Sequence, residues 1–277
     1  MELRRLTLDD VVPGARLTAA AFGGEPRESR FRRYLQLEPE GWFALEDAGT
    51  LVALGGAVQF GALAWLGLMV VDPARQRQGL GRTVARAAIE WAQRRGCSTI
   101  RLIATPAGSP LYQQLGFVPD GDSHELSGVP RPLPPADEPS SVRRWRSEDT
   151  EEVARFDAPA FGAERSHVLA TYAREFSDSA WVARDGRGRV RGFIVAQEDS
   201  LGPWCAADDW IAGQLLDVAL VGIARPFKVG VLDEVGTALL VQRGLTPSRL
   251  LPLMRLGPAA PRGTGPLFLA HASYAVG

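Results

Sequence analysis

Lysine is almost absent from this chain. Lys228 is the only one, so nearly all of the 31 cationic side chains are arginines. That removes one phosphate-binding device, because a Walker-type loop needs a lysine after its second glycine and none stands there. Cysteine is nearly as scarce: Cys97 and Cys205 lie far apart and make neither a metal-ligand pattern nor a disulfide framework. His124, His167 and His271 are scattered and give no metal spacing. Long apolar runs are missing too. The longest, Gly61 to Val71, falls far short of the ~20 residues a membrane helix needs. The charged start, Met1 to Thr7, has no apolar signal core, so the expected location is the cytoplasm, with no membrane partner. The formal charge of −1, from 31 cations and 32 acids, excludes the polycationic chain usual in nucleic-acid binders, although not a local basic patch.

What remains is an ordinary globular composition, 45% hydrophobic and 23% charged, and 277 residues suggest roughly two domains. The chain also repeats itself. Shifted by 139, residues 4–49 fall on 143–188 without a gap. The identities include Arg4/Arg143, Asp10/Asp149, Ala21-Phe22-Gly23 on Ala160-Phe161-Gly162, and Trp42/Trp181. A second match, at a shift of 128, puts Leu111, Gln114, Gly116 and Pro119 on Leu239, Gln242, Gly244 and Pro247, so the second copy has lost 11 residues between the two blocks. The proline-dense stretch between the copies can neither pair inside a sheet nor continue a helix. Residues 1–127 are therefore expected to form one domain, 128–140 a linker and 141–277 a second domain. Pro258 to Gly265 reads as a loop.

In the first copy, residues 2–6 read as a strand, Leu8–Phe22 and Arg27–Leu37 as helices, and Trp42–Glu46 and Leu51–Gln59 as strands around a turn. Ala62 to Val71 has the continuous apolar character of a strand buried on both faces. A glycine loop follows, and then a helix to Arg95 whose Leu80, Val84, Ala87, Ala88 and Trp91 keep helical spacing. Thr99–Ala104 is a further strand, and the short helix Pro110–Leu115 feeds a strand from Phe117.

A strand running into a glycine loop that opens a helix suits an anion, because the first helical N–H groups are unpaired and the dipole is positive there. Gly79 and Gly81 admit close backbone approach, and Arg75, Arg77 and Arg82 add charge, so the natural ligand is a phosphate or pyrophosphate. A Rossmann fingerprint would need a third glycine where Val84 stands and an acidic residue about twenty positions on, and it has neither.

Gln76-Arg77-Gln78-Gly79-Leu80-Gly81 resembles the Q/R-x-x-G-x-G/A motif of the GNAT N-acetyltransferase superfamily. The preceding Met69-Val70-Val71-Asp72-Pro73 resembles that family's central strand, and Leu111-Tyr112-Gln113-Gln114-Leu115-Gly116-Phe117 its late L-Y-x-x-L-G-F segment. The resemblance covers roughly residues 2–127, and the second copy shares it only through the repeat, as in tandem GNAT proteins with one degenerate half. It implies an α/β (α+β) fold of two GNAT-like domains, each a mixed central sheet flanked by helices. It also implies acetyl-CoA as cosubstrate and direct transfer of its acetyl group to a small-molecule or protein amine. Met69, Val70 and Val71 would bind pantetheine through backbone groups, one N–H polarising the acetyl oxygen. Arg77, Gln78, Gly79, Leu80, Gly81, Arg82 and Thr83 would hold the pyrophosphate.

Tyr112 matches the family tyrosine that protonates the departing thiolate; the alternative is an aromatic packed on its short helix. The asparagine that the family often carries before this helix is missing from Ala104 to Pro110. For the base that frees the acceptor amine, Glu46, Asp120, His124 and Glu125 are candidates by location near strands; each residue of this kind is more often a solvated surface group, and none stands out. Ser109 has no G-x-S-x-G context, which argues against a serine hydrolase. In the second copy the shift of 128 places Ala207-Asp208-Asp209-Trp210 on the glycine loop and Leu240 on Tyr112, so one acyl-CoA site per chain is expected. A non-catalytic acyl-CoA-binding regulatory module is the competing expectation.

Overall fold

The computed structural model describes residues 1–131, 133, 142–259 and 265–277. Most of the expected linker and part of the expected 258–265 loop lie outside the described residues. The first copy runs β1 (Glu2–Arg5), α1 (Val11–Phe22), α2 (Glu28–Leu37), β2 (Trp42–Asp47), β3 (Thr50–Phe60), β4 (Leu63–Val71), α3 (Leu80–Arg94), β5 (Thr99–Ile103), α4 (Ser109–Gln114) and β6 (Val118–Gly128). The second runs β7 (Val142–Arg144), α5 (Thr150–Phe161), α6 (Ser166–Glu175), β8 (Ala180–Arg184), β9 (Val190–Ala196), β10 (Leu201–Ala206), α7 (Asp209–Leu220), β11 (Phe227–Val231), α8 (Glu234–Gln242) and β12 (Thr246–Leu256), and then adds β13 (Leu267–Ala270). Gly128, expected in the linker, is the last residue of β6.

Among the described residues, thirteen strands form one sheet in the order β1-β2-β3-β4-β5-β12-β6-β11-β13-β10-β9-β8-β7. The copies have exchanged strands at its centre. β12 of the second lies between β5 and β6 of the first, pairing Leu253 with Ile103 and Leu251 with Ser123. β6 in turn pairs with β11. Each copy thus supplies an edge strand that the other needs. The faces carrying α1/α2 and α5/α6 turn toward each other: Phe60, Trp65 and Val70 share one apolar cluster with Phe161, Val168, Tyr172, Ala272 and Ala275.

Two repeat identities have a local physical cause. Arg4 grips Asp10 with two hydrogen bonds of 2.9 and 2.8 Å, and Asp10 accepts from the Thr7 N–H at 2.8 Å, pinning the turn from β1 into α1. Arg143, Asp149 and the Arg146 N–H repeat the arrangement at 2.7, 2.6 and 2.8 Å, and Arg184 adds a bond of 2.6 Å. These partners outweigh burial and hold the Asp149 carboxyl down at about 2. A depressed carboxylate stabilises the fold above its unfolded pKa, near 4, and loses that contribution as pH falls toward 2. The stability gap between the wild-type chain and Asp149→Asn is expected to narrow by about 2 kcal/mol between pH 5 and pH 2, measured by denaturant unfolding. A gap that stays constant over that range would show Asp149 to be uninvolved.

The aromatic pairs behave less symmetrically. Trp42 is fully buried, with its Nε1–H donating to the Tyr34 carbonyl at 2.8 Å. Phe161 is buried, but its counterpart Phe22 is 57% exposed. Phe161 is covered by Phe60 and by Phe268 of β13, and among the described residues the first copy has no equivalent of β13 to cover Phe22.

Candidate active site

β4 and β5 run parallel and pair only at Leu63/Thr99, Ala64/Ile100 and Trp65/Arg101. β4 continues to Val71 without β5, so the two strands part. Within this open half Leu68 takes a positive φ of 54°, and the register against β3 slips between Leu54/Val70 and Gly56/Gly67, the mark of a bulge. Gly55 makes room for it, since a Cβ there would lie 2.3 Å from the Met69 sulfur. Met69 and Val71 pack toward α3 and α4, while Val70 enters the cluster on the opposite face.

Beyond Val71 the chain makes a 3-10 turn at Pro73–Arg75 capped by Asp72, whose carboxylate accepts from the Ala74 N–H at 2.9 Å. Arg75 is tied to Asp47 at 2.9 Å. Gly79 is the N-cap of α3 in the left-handed region, φ 83°, and no side chain caps the helix. Gln76, Arg77, Gln78, Gly79 and Thr83 are exposed, and Leu80 sends its side chain into the core, which leaves only its backbone for a ligand. A Cβ at Gly81 would sit 3.3 Å from Val71. Arg82 is hydrogen-bonded to Gln114 beside this loop. Apart from the buried Leu80 side chain, the residues expected around the phosphate are together at one uncapped helix start.

Tyr112 stands on α4 at the floor of the same region. It is 7% exposed, its ring 5.8 Å from Phe117, and burial pushes the phenol pKa above its ordinary value. Its cluster includes Met254 of β12, so the second copy helps enclose it.

The second copy has lost this site in three ways. The segment from Asp72 to Gly79 is reduced to Ala207 and Asp208. The helix starts align Gly79 with Asp208 and Gly81 with Trp210, one residue away from the shift of 128, because the loss is spread over more than one turn. Asp208 caps α7 itself, accepting from the Ile211 N–H at 2.9 Å, and so fills the place of an anion with a carboxylate. Finally, β13 lies between β10 and β11, pairing with Trp204, Cys205 and Ala206 on one side and Val231 on the other. It occupies the gap that is open between β4 and β5. Sequence reasoning missed this plug; the signal was the apolar Leu267-Phe268-Leu269-Ala270 directly after the Pro/Gly-rich stretch.

The four candidate bases are dispersed. Glu46 pairs with Arg4 at 2.8 Å near the β1 edge, and Asp120 bridges Arg101 and Arg255 at 3.0 and 3.2 Å. His124 lies in β6 opposite Val231. Glu125 is 3% exposed and held by Arg249 at 2.9 and 2.8 Å. Among the described residues no helix is long and apolar enough to cross a membrane.

A parted strand pair, a bulged central strand and an uncapped glycine helix start, all in one half of a duplicated sheet, define a GNAT-type acetyltransferase fold. The chain belongs to the GNAT acetyltransferase family as a tandem: the Acetyltransferase (GNAT) family profile matches residues 14–117 and an Acetyltransferase (GNAT) domain profile matches 153–269. An uncharacterised N-acetyltransferase of Bacillus subtilis, YitH, is 27% identical over 196 residues, 68% of this chain and 67% of that protein. Serotonin N-acetyltransferase 2, chloroplastic, of Oryza sativa subsp. japonica is 36% identical over 108 residues, 36% of this chain and 53% of that protein. A Pyrococcus horikoshii protein carrying a provisional acetyltransferase designation superposes with a TM-score of 0.87 at 25% identity, over 100% of this chain and 95% of its own. A GCN5-related N-acetyltransferase from Sphaerobacter thermophilus shares the fold, with a TM-score of 0.65 at 18% identity over 92% and 95% of the two chains.

Proposed function

We propose that the first copy transfers the acetyl group of acetyl-CoA directly to a primary amine. The observation that carries this reading is the pairing of an uncapped, glycine-started helix with an open, bulged strand in the first copy, where the second copy has a capping aspartate and an inserted strand. The residues fit the cosubstrate. Backbone N–H groups from Arg77 to Thr83 would take its pyrophosphate, with Arg77 and Arg82 supplying charge. Main-chain groups of Met69, Val70 and Val71 would bind the pantetheine arm, and an N–H at the bulge would polarise the acetyl oxygen. Acetyl-CoA would supply a thioester activated toward attack: once the ammonium has released a proton to solvent, the amine nitrogen would bond to the acetyl carbon as the C–S bond breaks, Tyr112 would give its proton to the sulfur, and the second amine proton would return to the phenolate through solvent. Family membership supports acyl transfer, and Tyr112 favours it over a purely binding role.

Replacing Gly79 with Asp brings to the start of α3 a carboxylate like that at α7, on a left-handed backbone where that of Asp208 is extended. Calorimetry is expected to give one acetyl-CoA site in the wild-type chain and none detectable in Gly79→Asp, with thiol release lost in parallel. Two sites in the wild type, or undiminished binding in the variant, would sink the assignment to the first copy. Binding at one site without thiol release against any primary amine would favour the regulatory-module reading.

A further inference from the structure

The second copy walls the face of β4 opposite α3. Residues 271–277 cross it. The Trp65 Nε1–H donates to the Tyr274 carbonyl at 3.1 Å, and Ala275 lies so close to β4 that a Cβ on Gly67 would come within 2.2 Å of its carbonyl oxygen. The Tyr274 side chain then reaches away from β4, over Gly230, where a Cβ would meet its hydroxyl at 2.3 Å. Two glycines are therefore needed to seat this one segment.

The hydroxyl ends 3.5 Å from Glu125 Oε2 and beside Ser123 Oγ. Ser123 and Glu125 are two apart on β6, so they share a face. The register Ile103–Leu253–Gly121, Leu251–Ser123, Arg249–Glu125 places them past the last β4–β5 pair, on the side where those strands part. Ser123 Oγ is fully buried against the Tyr274 hydroxyl. Glu125 is almost fully buried, yet the arginine that neutralises it, Arg249, is 52% exposed. A buried carboxylate held by an arginine that can swing into solvent is a seat that another cation can take.

We propose that Glu125, Tyr274 and Ser123 form the seat for the acceptor's ammonium group, and that Arg249 occupies it when no acceptor is bound. An ammonium has three N–H donors in a compact head, and the seat offers three oxygens, one of them charged. A guanidinium is planar, and that of Arg249 is spent on the two Glu125 oxygens. The carboxylate is a positioning group: it selects a primary ammonium on the open side of the sheet, and the ammonium releases a proton to solvent before its nitrogen can attack. The proposal rests on the transfer reading above for its meaning, but its test does not need turnover.

Methylammonium chloride is the probe and tetramethylammonium chloride the control, at matched ionic strength, with unfolding temperature as the readout. Arg249→Ala is expected to be stabilised selectively by methylammonium, at about 10-fold lower concentration than the wild type requires, since a charge-assisted hydrogen bond accounts for a factor of that order. Adding Glu125→Gln to that variant should abolish the selectivity. In the wild-type background Glu125→Gln alone should raise KM for any accepted amine about 10-fold, with acetyl-CoA affinity unchanged. A purely structural pair predicts that both single variants raise the amine KM; the seat predicts that Glu125→Gln raises it and Arg249→Ala, which frees the seat, lowers it. Equal responses of Arg249→Ala to the two salts overturn the proposal, as does methylammonium selectivity that survives Glu125→Gln, or an unchanged amine KM in the folded Glu125→Gln single variant. If methylammonium selectivity stands and thiol release is never seen, the transfer reading falls and the ammonium seat does not.

Discussion

Tyr112→Phe is expected to lower kcat about 10²-fold, roughly 2.7 kcal/mol of transition-state stabilisation, while leaving acetyl-CoA affinity unchanged. A phenol carries its proton at neutral pH and can give it to a departing thiolate. The substitution isolates that proton. Phenylalanine keeps the ring that packs on Phe117 and lies among Leu80, Val84, Leu102 and Met254, so the fold and the helix start at Gly79 are not disturbed. Thiol release under saturating acetyl-CoA gives kcat, and calorimetry gives the affinity. A variant with near wild-type kcat would return Tyr112 to a packing role, and parallel losses of kcat and affinity would point to a damaged cradle.

The local features of the site were legible because they depend on nearby residues. Gly79 has to be glycine-like for its left-handed backbone, Leu80, Val84 and Ala88 keep helical period, and the apolar run ending at Val71 reads as a strand whichever neighbours it has. The duplication was legible for a related reason: Arg4–Asp10 and Arg143–Asp149 are contacts between residues six apart, repeated in sequence as in space. What could not be read was the pairing of distant segments. Nothing in the composition of β12 says that it crosses into the other copy between β5 and β6, since an apolar strand carries no label for its neighbours. The insertion of β13 is similar. Its effect is to close the second cleft and bury Phe161, so the Phe22/Phe161 identity hid two opposite environments. Among the four base candidates the residue types were uninformative; only the strand register separates Glu125, which lies past the last β4–β5 pair, from Asp120, which bridges two arginines.

Asp157→Ala is expected to destabilise the chain by about 3–5 kcal/mol. Arg165 is fully buried. Its Nε and Nη2 donate to the two oxygens of Asp157 at 2.6 and 2.8 Å, and its Nη1 donates to the Gly277 carbonyl at 2.9 Å. The guanidinium is also stacked over Phe161 at 4.3 Å and Phe268 at 5.0 Å. Removing the Asp157 carboxylate leaves a buried cation with one main-chain acceptor, and the cost is that of the stranded charge more than of the lost bonds. If so, Asp157→Ala/Arg165→Met should recover most of the loss, because it removes the charge along with its partner. Denaturant midpoints at constant slope give both numbers. The same pair anchors the stretch that runs from β13 to Gly277, which plugs the second cleft and carries Tyr274 onto the face of β4 opposite α3. Loosening that anchor should therefore raise the amine KM at temperatures where Asp157→Ala is still folded, with acetyl-CoA binding to the first copy retained. An Asp157→Ala chain as stable as the wild type would show that Arg165 finds other partners, and a double variant no better than the single one would show that the cavity, and not the charge, sets the cost.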